Sequence, residues 1–100
     1  IDEIKLAIST TRAIINGGAF KLRDERLDDL IQKVSKTKRL EDLMPAYDYV
    51  GQIKKERIDL DSNKKKELTY YYLGRLHITA LNLILKQLGV EHKRLKSMEN

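Results

Sequence analysis

Three observations predict a small all-α protein, a bundle of about four helices. Apolar residues recur at helical spacing in four segments, only one proline interrupts 100 residues, and no stretch alternates apolar with polar residues as a strand would. The length suits one domain, residues 1–100, with little room for a second core. Hydrophobic residues at 41% are too many for disorder, and charged residues at 35% fit helices that expose much of their circumference.

The first helix is expected from Ile4, Ile8, Thr11 and Ile15, spaced i, i+4, i+7 and i+11 and widened by Ala7 and Ile14. Asp2 and Glu3 stand in its first turn, where negative charge suits the helix dipole. Asn16-Gly17-Gly18 supplies the stop. The second segment is read over about 19–34, with Phe20, Leu27, Leu30, Ile31 and Val34 on one face. Residues 35–39, with no apolar side chain, read as a basic connector. The third segment covers about 40–58. Pro45 is tolerated in a first turn but costs on the order of 3 kcal/mol inside a helix. A short turn over Leu40–Leu43 followed by a helix from about Pro45 is therefore expected, with Gly51 allowing a close crossing.

The fourth segment, about 62–88, is the most apolar. From Leu68 onward its polar positions Arg75, Thr79, Asn82 and Lys86 form one narrow stripe, while Leu73, Leu76, Ile84, Leu88 and most other positions are apolar. A helix apolar over most of its circumference is normally buried on most sides. It should be the central helix, outrunning shorter neighbours and leaving an interface where they end. Gly89 is expected to cap it, and residues 90–100 to form a short basic helix.

Net charge is +5, unevenly placed: residues 1–30 carry −1, residues 31–60 carry +2 and residues 61–100 carry +4. The gradient suggests an anionic partner for the C-terminal half. Phosphate contacts would fall to Lys54, Lys55, Arg57, Lys64, Lys65 and Lys66, with Lys93, Arg94 and Lys96 secondary. Antiparallel neighbours would bring Lys54, Lys55 and Arg57 beside the lysine run as a contiguous basic rim, although interleaved acids offer local pairing. Tyr70, Tyr71 and Tyr72 point about 100° apart, so they cannot form one stacking platform; packing in a core or interface, with hydroxyls outward, is expected.

Chemistry is poorly represented. The absence of cysteine excludes disulfides, thiolate metal sites and a cysteine nucleophile, and suits a cytoplasmic setting. Arg75 and His77, two residues apart, face different sides of a helix and make no ribonuclease pair. No carboxylate spacing resembles a calcium loop or a Glu-x-x-His site, and Asn16-Gly17-Gly18 lacks the rest of a phosphate cradle. No apolar run is long enough to span a bilayer. The first residue, Ile1, suggests a trimmed chain or a piece of a longer one. The expectation is a non-catalytic interaction module or small subunit without cofactor, docking on a protein partner or on itself through the fourth segment. The alternative is a basic nucleic-acid-binding module.

Overall fold

The computed structural model describes residues 1–18 and 20–98 and is all-helical, with no strand among them. Helix α1 spans Asp2–Gly17, α2 Glu25–Thr37, a 3-10 turn Leu40–Leu43, α3 Met44–Gly51, α4 Ile53–Glu56 and α5 Ser62–Met98. At ~1.5 Å per residue α5 runs the length of the molecule, which measures 59 × 26 × 16 Å. The other helices lie along it.

Helix α1 ends at the glycine pair, where a stop is expected, but without the left-handed glycine cap of such stops: Gly18 is extended, at φ −89° and ψ 154°. Among the helices α1 touches α5 only. It runs antiparallel to α5: Ile15 and Thr11 meet Gly74, while further on the Lys21 amide donates to Glu67 at 3.3 Å. A Cβ on Gly74 would stand 2.5 Å from Ile15 Cδ1, so glycine sets this close approach.

The second helix starts later than the apolar pattern suggests. The segment expected from about 19 begins at Glu25 and continues to Thr37; Ala19 lies outside the described residues. Asp24 decides the start, because its carboxylate accepts from the Leu27 amide at 3.0 Å as an N-cap. Most of the expected connector 35–39 is helical, and the turn falls at Lys38, which adopts the left-handed conformation. Helix α2 runs parallel to α5, with Asp24 beside Tyr72 and Asp28 beside Arg75.

Leu40–Leu43 forms the expected turn, and Pro45 sits harmlessly in the first turn of α3. The chain then returns antiparallel to α5, which brings Lys54 to Lys65. Gly51 makes no close crossing; no atom of another element lies within 4 Å of where its Cβ would stand, and it ends α3 instead. The core gathers Leu27, Ile31 and Val34 of α2, Leu43, Ala46, Tyr49 and Val50 around α3, Ile53 of α4, and Leu68, Tyr72 and Leu76 of α5.

Gly89 does not cap α5. The helix passes through it to Met98, and the separate basic helix expected over 90–100 is its last turns, as far as the described residues go. Continuous helical hydrogen bonding on both sides outweighs the roughly 1 kcal/mol that an interior glycine costs.

Candidate interaction surface

The surface is set by which sides of α5 are covered. One side, Leu68, Tyr72 and Leu76, lies in the core against α2 and α3, and a second, around Gly74, receives α1. Arg75, Thr79 and Asn82 fall between those two sides and are partly buried; Arg75 donates to Asp28 at 2.7 Å, and the Thr79 hydroxyl donates to the Arg75 carbonyl at 2.9 Å. The polar stripe that the sequence assigns to solvent is therefore partly covered: Arg75 keeps 31% of its side chain exposed, Thr79 and Asn82 are half-buried, and Lys86, at its end, is exposed. What stays open on the third side is a mainly apolar stripe, Tyr70, Leu73 and Leu88 with His77 among them and Ile84 at its edge. Tyr70 is 68% exposed, Leu73 39% and Leu88 40%, and Ile84 is half-buried. The stripe continues onto Leu95 and Met98, which are exposed as well.

A buried polar network fixes the opposite side. Asp24, 4% exposed, accepts from Arg57 Nη1 at 2.8 Å and from the Tyr49 hydroxyl at 3.3 Å. The Tyr72 hydroxyl accepts from the Asp24 amide at 2.7 Å and donates to Asp28 Oδ1 at 2.8 Å. Burial, reinforced by the Asp28 carboxylate, pushes the Tyr72 hydroxyl up to about 12. Hydrogen bonds to Asp59 and then Asp24 hold the Arg57 guanidinium above its ordinary range, against the opposing effect of burial. No buried side-chain polar atom among the described residues lacks a partner.

The residues singled out from sequence divide accordingly. Lys54, Lys65 and Lys66 come together around a groove of about 700 Å³ with Ser62, Thr69, Tyr70 and Leu73, at the start of the apolar stripe. Lys65 is partly engaged, its Nζ donating to the Lys54 carbonyl at 2.9 Å. Lys55 and Lys64 are exposed but do not line that groove. Arg57 is a correction: it turns inward, bridging Asp24 and Asp59. Lys93, Arg94 and Lys96 are exposed on the far end of α5, roughly 40 Å along the helix from Lys66. The tyrosines separate as their 100° spacing requires. Tyr70 is exposed, and Tyr71 is half-buried against Phe20 with Arg23 4.2 Å above its ring. Tyr72 is fully buried, so it belongs to the core and not to an interface, and its hydroxyl points inward to Asp28.

Sequence reasoning missed the Asp24 network and a pocket lined by Arg12, Arg23 and Arg75. The spacing of Asp24 ahead of Leu27 carried an N-cap signal, but nothing in the sequence connects Arg12 with residues 11 and 63 positions away. Among the described residues no group of three or more acidic or histidine side chains is gathered to hold a metal ion, and no helix is long and apolar enough to cross a membrane. No family model, curated protein or solved structure matches the chain.

Proposed function

We propose that this protein is a non-catalytic interaction module or small subunit that docks through the open apolar side of α5. One observation carries the reading: the fold leaves Tyr70, Leu73 and Leu88 exposed along one side of α5 while half-burying most of its polar stripe. Exposed apolar stripes of this length cost hydration free energy and commonly mark protein–protein contacts. Photo-crosslinking in native cells tests it. A crosslinker at Leu73 should yield a discrete protein adduct, or a dimer of this chain, and one at Gln32 on the exposed side of α2 should not. Equal adducts from both positions, or none from Leu73, would refute it.

A second reading is phosphate contact with a nucleic acid, supported by the convergence of Lys54, Lys65 and Lys66 on one groove. It requires binding to mixed DNA and RNA that is strongest at low salt and falls steeply as salt rises.

A further inference from the structure

Beyond the docking side of α5, the geometry points to a small-molecule anion site between α1 and α5: we infer that Arg12, Arg23 and Arg75 bind a phosphomonoester carrying an aromatic or apolar group, of about a mononucleotide's size.

The three arginines come from three places, α1, the segment before α2, and α5, and all line one pocket of about 410 Å³. That volume lies within the ~300–1,000 Å³ of small-molecule sites. Among the described residues no carboxylate lines the pocket. The nearest acid partner, Asp28, stands on the Arg75 guanidinium at 2.7 Å and neutralises one cation of the three. Arg12 is exposed and forms no ion pair among the described residues. Arg23 is held by one nitrogen only: Nη1 donates to the Phe20 and Leu22 carbonyls at 3.0 and 2.9 Å, leaving Nε and Nη2 to serve a ligand. Its guanidinium lies 4.2 Å from the centre of the Tyr71 ring, and that of Arg75 lies 5.6 Å from it. Both guanidiniums thus lie within cation–π reach of one ring.

Guanidinium forks match phosphate oxygens bidentately, and a concentration of them with little compensating acid favours a doubly charged anion over a single carboxylate. The other walls are apolar or amide: Ile15, Phe20, Ile78 and Asn16. They fit a ring or alkyl group beside the phosphate, with Asn16 offering hydrogen bonds. The lysine groove offers ammonium groups from α4 and the start of α5 and no guanidinium fork, and the cleft around Arg57 mixes its cations with Asp24, Glu25 and Asp29.

Amide-resolved NMR titration with AMP, inorganic phosphate and adenosine at low salt is the test. AMP should shift Arg12, Asn16, Arg23, Tyr71 and Arg75; phosphate should shift the arginines more weakly, and adenosine should leave them in place. Arg12→Gln, which removes a solvent-facing cation and no internal contact, should weaken AMP about tenfold, the loss of one charge-assisted contact. Lys65→Gln with Lys66→Gln should leave AMP binding unchanged. No shift at these amides with millimolar AMP would overturn the site, as would an Arg12→Gln protein that binds equally well. Phosphate binding as tightly as AMP would overturn the organic part of the ligand. Shifts confined to Lys54, Lys65 and Lys66 would assign the anion to the lysine groove instead.

Discussion

At the scale of single residues, Asp24 and Tyr72 hold the start of α2 to the middle of α5. Tyr72→Phe removes the acceptor of a buried backbone amide, which costs about 2 kcal/mol, measurable by urea unfolding. Its hydroxyl is neutral in the fold to about pH 12, against an ordinary value of 10.0. The unfolded chain therefore releases this proton first, and stability that is complete below pH 10 falls as pH rises toward 12. Alkaline unfolding should be less steep in Tyr72→Phe. Arg57→Met leaves the Asp24 carboxylate buried without its cation and should cost about 3 kcal/mol. Adding Asp24→Asn, which retains a capping side chain and removes the charge, should recover part of that loss. None of this pairing is visible along the chain, because Asp24 lies 33 residues from Arg57 and 48 from Tyr72.

At the scale of helices, legibility follows how local the deciding interaction is. The turn before Pro45 depends on proline's missing donor, so the residues alone announce it. The stop at Gly17-Gly18 falls where glycine's low helix propensity puts it, although Gly18 is extended and not left-handed. The start of α2 and the passage of α5 through Gly89 depend on capping and on helix continuity, and there the apolar pattern misleads. Gly89 meets no neighbouring atom where a Cβ would stand, so Gly89→Ala should stabilise the last turns of α5 by about 1 kcal/mol, read as slower amide exchange over residues 85–95. Helix α1 has a single buried residue, Ile8, and touches only α5. Its amides should exchange before those of α2 and α3, as a separately opening unit; exchange at one common rate would contradict that.

At the scale of the whole molecule, one helix serves as core, support and outer surface. The radius of gyration, 16.1 Å, exceeds the ~13 Å of a compact chain of this length because the end of α5 outruns its neighbours. Leu73 and Leu76 are one turn apart, yet one is open and the other fully buried. Leu76→Ala should cost about 3 kcal/mol, whereas Leu73→Lys should change the stability of the isolated protein by no more than about 0.5 kcal/mol. The same Leu73→Lys change should abolish capture of a partner through this side. A similar stability loss at both positions would mean that the third side of α5 is covered.

The all-helical class, the prominence of residues 68–88 and the interruptions at Gly17-Gly18 and before Pro45 belong to the sequence itself, since each follows from backbone preference or from periodicity within one segment. Which side of α5 faces water was decided by tertiary structure alone. Periodicity shows that a helix has a polar and an apolar side, but it does not say where neighbours will lie. Asp28 pairs with Arg75 and Gly74 admits α1 on a neighbouring side, so most of the polar stripe is half-buried while Tyr70, Leu73 and Leu88 stay in contact with solvent.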